Sequence, residues 1–87
     1  MLITSARRSV NSEFVAEAAF YEREVCVLEG EGKRAIKCDV IVLTFSSGVK
    51  SYYSPIKDTS VRPDYERIDC HCDPLFFADL LANFFSQ

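Results

Sequence analysis

The chain has 87 residues, of which 48% are hydrophobic and 26% are charged, and its formal net charge at pH 7 is -3. This length supports one single-core domain, residues 1–87, and the composition is far from that of disordered chains. The 10 Lys and Arg residues are scattered rather than clustered, which argues against nucleic-acid binding.

The amino-terminal stretch "MLITSARRSV" has no apolar segment of signal-peptide length. No later run approaches the roughly 18 apolar residues that a membrane span needs. We therefore expect a cytoplasmic protein without a membrane partner. In that reducing compartment the four cysteines are expected to be thiols rather than a disulfide framework.

The first predicted element is a helix over residues 9–20, "SVNSEFVAEAAF". Its apolar residues recur at helical spacing, and a polar residue at 9, 11 or 12 can cap the amino terminus. The apolar positions are Phe14, Val15, Ala18 and Ala19.

Three strands are predicted next, at 22–29, 35–46 and 49–54. The first two surround Gly30 to Lys33, where glycines can supply the positive φ of a short reversal. A second reversal at Ser47 and Gly48 joins the next pair.

A fourth strand is predicted at 66–72, because apolar and polar residues alternate in "YERIDCHC". A second helix then begins in "DPLFFADLLANFFSQ", with Asp73 as N-cap and Pro74 at its first position. The predicted fold is α+β, a four-stranded antiparallel sheet of two hairpins and a return strand. An amino-terminal and a carboxy-terminal helix flank it, in the order αββββα, with both helices on one face.

The stretch "DCHCDP" suggests metal or redox chemistry, but strand alternation favours buried thiols at Cys70 and Cys72. Two alternatives use Cys26 and Cys38, which lie almost symmetrically about the first reversal. They could form a disulfide, or they could share a sheet face with Cys70 and Cys72 and bind zinc tetrahedrally. The expected assignment is no cofactor and no metal, with a zinc-stabilised binding module as an alternative function.

A cysteine-dependent enzyme is the other alternative. The predicted strand sends His71 to the opposite face from its cysteine neighbours, which breaks the hydrogen-bond reach that a Cys-His dyad needs. No G-x-S-x-G sequence occurs, and "GEGK" lacks the spacer and the hydroxyl residue of a phosphate-binding loop. We therefore expect a protein that is not an enzyme.

The second predicted helix is apolar around most of its circumference, and the predicted strand at 35–46 turns apolar on both faces. One sheet can cover only one side of this helix, and the first predicted helix could cover a second side. The remaining apolar surface would be exposed or covered by another chain, and exposed contiguous apolar patches mark association. The predicted interface residues are Ile41, Leu43, Phe45, Tyr52, Leu75, Ala82 and Phe85.

These observations predict a non-enzymatic interaction protein that binds and inhibits or modulates a larger protein. Immunity proteins, antitoxins and phage inhibitors of host defence are comparable in size and composition, which is analogy only. Six glutamates between positions 13 and 31 oppose only Arg23. This excess forms a solvated face or attracts a partner with a basic surface. A homodimer is the other way to cover the apolar surface.

Overall fold

The computed structural model describes residues 2–4, 8–57 and 72–85. Within them, the chain forms an antiparallel sheet with one helix packed on it. The elements are β1 (Leu2–Thr4), β2 (Arg8–Val10), β3 (Glu13–Glu29), β4 (Gly32–Phe45), β5 (Lys50–Tyr53) and α1 (Pro74–Phe84). The strand order is β1-β3-β4-β5, and β2 also pairs with β3.

The predicted helix over 9–20 is wrong, because this segment is a tight hairpin followed by the start of a long strand. Asn11 and Ser12 have φ values of 51° and 67°, and they reverse the chain between the paired residues Val10 and Glu13. Positive φ at both loop residues gives the backbone twist that a two-residue hairpin needs. Asparagine is among the residues that adopt it most readily.

A β-bulge explains why this strand resembles a helix in sequence. Val15 pairs with Phe45 and Glu17 pairs with Thr44, so Ala16 is an extra residue in β3. The extra residue brings Val15 and Ala18 to the same face, where both are fully buried. Apolar residues three apart on one face are the usual mark of a helix.

The hairpin of β3 and β4 forms the centre of the sheet. Its turn is Gly30-Glu31, with Gly30 at φ 61°, and its register pairs Glu29 with Gly32. The second predicted reversal is also present, since the Gly48 N–H donates to the Phe45 carbonyl. The predicted strands at 22–29, 35–46 and 49–54 thus correspond to β3, β4 and β5, with ends that differ by at most three residues except that β3 starts nine residues earlier.

Helix α1 begins as predicted. The Leu75 N–H donates to Asp73 Oδ1 at 2.7 Å, and Pro74 occupies the first turn. The Cys72 N–H donates to the Ser54 carbonyl at 2.8 Å, which ties the start of the helix to the end of β5.

Two ring contacts show that α1 crosses the sheet from β5 towards β1. Phe76 contacts Tyr53 with ring centroids 5.7 Å apart, and Phe85 contacts Phe20 with centroids 5.6 Å apart. The core under the helix comprises Val15, Ala18, Ile41, Leu43, Phe45, Tyr53, Phe77, Leu80 and Phe84. A second cluster of Val25, Cys38, Val40 and Val42 lies on the other face of the sheet, as strand alternation requires.

The predicted order αββββα is therefore contradicted. In the described part of the chain, two short strands and a bulged strand replace the amino-terminal helix, and α1 is the single helix. The predicted strand at 66–72 lies outside the described residues except for Cys72, which is in no strand. No helix within the described ranges is long and apolar enough to cross a membrane.

Candidate functional site

Three of the predicted interface residues lie in the core rather than on a surface. Ile41, Leu43 and Phe45 are 0%, 0% and 2% exposed beneath α1. Alternation correctly placed them on one face of β4, but the helix covers that face instead of the opposite one. A partner therefore cannot reach these side chains while α1 is in place.

Tyr52 is half-buried on the opposite face of the sheet. The Arg23 guanidinium carbon lies 4.7 Å from the centre of its ring, which is a cation–π contact. Nη1 of Arg23 is buried and has no hydrogen-bond partner. Stacking on Tyr52 compensates part of the cost of burying this cation.

Leu75 and Ala82, two further predicted interface residues, lie on α1, and the third, Phe85, follows directly as its C-cap. Leu75 is 78% exposed, Ala82 is exposed, and Phe85 is half-buried against Phe20. The surplus of apolar residues on this helix thus leaves apolar side chains in contact with water, as the sequence predicted from its circumference.

A groove of about 370 Å³ runs between the carboxy-terminal half of α1 and the first strand. We call it the docking groove, and it is lined by Leu2, Phe20, Leu81, Ala82 and Phe85. Leu2 pairs with Phe20 across β1 and β3, and its side chain is 57% exposed. Sequence reasoning missed both residues, because it gave the first residues no element and placed Phe20 in a helix.

Beyond the docking groove the same face of the sheet becomes acidic. Glu22, two residues after Phe20 on β3, pairs directly with Asp39 on β4, and Glu24 pairs with Lys37. All four side chains are exposed. Like charges directly opposite each other in a sheet are destabilising, so the pair of Glu22 and Asp39 is unfavourable in the free protein.

A second, more polar groove of about 540 Å³ lies on the other side of α1, next to the β2–β3 hairpin. Its lining residues are Arg8, Ser9, Val10, Asn11, Phe76, Asp79, Leu80, Asn83 and Phe84. The Arg8 Nη1 group donates to Asn83 Oδ1 at 3.4 Å, a long hydrogen bond between exposed side chains. That contact links the hairpin to the helix.

The register separates the two cysteines of the first hairpin. Cys26 pairs with Ala35, whereas Cys38 pairs with Arg23, so the two thiols lie on opposite faces of the sheet. This arrangement contradicts both the Cys26–Cys38 disulfide and the zinc site that used them together. Cys38 Sγ instead lies 3.3 Å from the Ser54 hydroxyl, and Cys70 is outside the described residues.

Cys72 is a free thiol next to the start of α1. Burial raises its pKa, the Asp73 carboxylate acts in the same direction, and a backbone hydrogen bond with Ser54 opposes them. The thiolate is the reactive form of cysteine. A raised pKa therefore makes this thiol less nucleophilic at neutral pH than an ordinary cysteine.

Within residues 2–4, 8–57 and 72–85, no group of three or more His, Cys, Asp or Glu side chains is placed to hold a metal ion. Compared with known proteins, the chain matches no protein-family model, no curated protein and no solved structure.

Proposed function

We propose that this chain is a non-catalytic interaction module that binds a larger protein through the docking groove and inhibits or modulates it. The observation that carries the proposal is the groove itself, where exposed Leu2 and Ala82 adjoin half-buried Leu81 and Phe85. Contiguous exposed apolar surface on a small domain marks an interaction site.

The groove also has the rigidity that favours binding. Its floor at Phe20 is held by strand pairing on both sides, to Leu2 on β1 and to Ile41 on β4. Its wall is a helix that Leu80 and Phe84 anchor in the core. A surface that is already ordered loses little conformational entropy when a partner binds.

The state of the cysteines fits a non-catalytic role in the cytoplasm. Cys38 and Cys72 are not in a disulfide in the described part of the chain, as a reducing compartment favours. Of these, Cys72 has a raised pKa rather than the lowered pKa of a nucleophile.

The proposal is tested with Ala82→Asp, which places a charge at the centre of the groove wall. Ala16→Asp is the matched control, because Ala16 is also exposed but lies at the bulge of β3. Immobilised wild type, Ala82→Asp and Ala16→Asp are each exposed to lysate of the source cells. Captured proteins are then quantified by mass spectrometry.

We expect at least one protein to be retained by the wild type and by Ala16→Asp but lost with Ala82→Asp, and its purified form to change activity when the chain is added. Thermal unfolding of both variants must first show that they are folded. Equal retention by Ala82→Asp would contradict the proposal. A wild-type dimer that Ala82→Asp dissociates would also contradict it, since the groove would then hold a second copy.

A further inference from the structure

The acidic pair beside the docking groove places two like charges directly opposite each other, which is unfavourable for the free chain. Glu22 and Asp39 are direct cross-strand partners, and Glu24 follows on the same face. Lys37 opposes Glu24 and offsets one of the three negative charges. Among the described residues, Lys33 lies further towards the turn on the same face, so Glu22 and Asp39 are left as directly opposed negative charges, and the repulsion between them acts against the pairing of β3 with β4.

The acidic residues begin where the apolar ones end. Glu22 is two residues beyond Phe20 on β3 and Asp39 is two residues before Ile41 on β4, a step of about 7 Å along the strands. The carboxy-terminal half of α1 rises above Phe20 as an apolar wall. The apolar wall of α1 and the sheet together form a corner. Its helix side is lined by apolar side chains, and its sheet side carries the carboxylates.

We propose, building on the function proposed above, that the occupant of the docking groove is a cationic amphipathic segment of the partner protein. Its apolar side chains lie against Leu81, Ala82 and Phe85, and its Lys or Arg side chains pair with Glu22, Glu24 and Asp39. Complementary charge at the margin of an apolar contact speeds association and fixes the orientation of the partner. Binding would also remove the repulsion that the free hairpin carries.

The charges of α1 argue against the same helix from a second copy as the occupant. The segment from Asp73 to Phe85 contains two aspartates and no basic residue. A second α1 in the corner would therefore bring negative charge towards Glu22 and Asp39, which is unfavourable.

The substitution Glu22→Lys separates a binding role from a structural one, because the two effects have opposite signs. It replaces a repulsive cross-strand pair by an attractive one, so we expect the melting temperature of the free protein to rise by about 2–5 °C. The same change opposes a cationic partner, and we expect binding to weaken about five- to tenfold. The matched control is Glu31→Lys, an identical charge change at the exposed hairpin turn.

The probe is a labelled synthetic peptide that forms a helix with leucines on one face and lysines on the other. Its counterpart carries glutamates in place of the lysines. Fluorescence anisotropy measures the binding of each peptide to wild type, Glu22→Lys, Glu31→Lys and Ala82→Asp. We expect the cationic peptide to bind the wild type and Glu31→Lys alike, to bind the other two variants more weakly, and to be displaced by salt.

Equal binding of both peptides, the absence of binding, or equal losses for Glu22→Lys and Glu31→Lys would overturn the inference. The function proposed above fails separately. If lysate capture depends on Ala82 but not on Glu22, the chain is an interaction module whose partner is not cationic. If neither substitution affects capture, the docking groove is not the interaction site.

Discussion

The two ends of the β3–β4 hairpin differ sharply on the face that α1 covers. Near the helix, Ile41 and Leu43 are fully buried in a sheet that β1 and β5 widen. Towards the turn, the same face carries Glu22, Glu24 and finally Leu28, which is 68% exposed. The same strands thus serve as core at one end and as an exposed surface at the other.

This difference shows that alternation and turn residues determine how far a strand extends. The elements packed on the strand determine whether each part of a face is buried or exposed. Positions under α1 gain free energy from burial. Positions beyond α1 are not buried by it, so they can hold side chains that cost some stability. The hairpin tolerates an unfavourable pair such as Glu22 and Asp39 because burial in the core stabilises its other end.

The test with the largest expected effect makes the same substitution, leucine to alanine, at both ends of the β3–β4 hairpin. We expect Leu43→Ala to lower the free energy of unfolding by about 2–5 kcal/mol, because it leaves a cavity under α1. Leu28→Ala should change it by less than about 0.5 kcal/mol, as at other exposed sites. Urea unfolding followed by circular dichroism measures both values. Similar losses at the two positions would refute the division of the hairpin.

A smaller loss of stability is expected from a substitution at the start of α1, the helix that buries one end of the β3–β4 hairpin. Asp73→Ala removes the side-chain acceptor of the Leu75 N–H and should cost about 1 kcal/mol. Asp73→Asn is the control, since asparagine caps helices about as well as aspartate does. If Asp73→Asn destabilised the protein as much as Asp73→Ala, the charge rather than the cap would be the cause.

The smallest effect concerns the turn at the far end. Gly30→Ala forces an alanine to adopt a φ of 61°, which should cost about 1 kcal/mol or less because strand ends fray. The same change at Gly32 should be nearly neutral, because Gly32 has no positive φ and an added Cβ would meet the Glu29 carbonyl oxygen at an ordinary 3.9 Å. Thermal unfolding of the two variants checks the difference, and equal stabilities would show that the turn conformation is not a constraint.

Local signals in the sequence were enough for about half of the fold. Gly30 marked the first turn, Gly48 the second, and Asp73 with Pro74 marked the start of α1, because each acts through its own backbone or that of its neighbours. The segment over 9–20 failed for a physical reason. The bulge at Ala16 shifts the alternation by one residue and reproduces helical spacing in a strand.

The candidate site was predicted in part. Leu75 and Ala82 are exposed and Phe85 is half-buried, because α1 has more apolar residues than one sheet can cover, and their role in an interface stays a prediction. Ile41 was misplaced, because alternation separates two faces without saying which one a distant helix covers. Leu2 was missed because its pairing with Phe20 depends on the course of the chain before β3.

The cysteines show how much depends on register. A two-residue turn pairs Cys26 with Ala35, whereas pairing with Cys38 would need a longer loop. Near symmetry about the turn was therefore misleading, because alternation places two strand residues on one face only when the register also agrees.

The short outer strands determine how much backbone the sheet offers to a foreign strand beside α1. Beside α1, the edge strands of the described sheet are short. Strands β1 and β2 have 3 residues each, and β5 has 4 residues. Short edge strands give a foreign strand little backbone to join, which is how natural sheets resist aggregation. Residues 41–44 of β4, where the strand is most apolar, pair with β3 on one side and with β5 on the other, so this stretch of backbone is not open to a foreign strand.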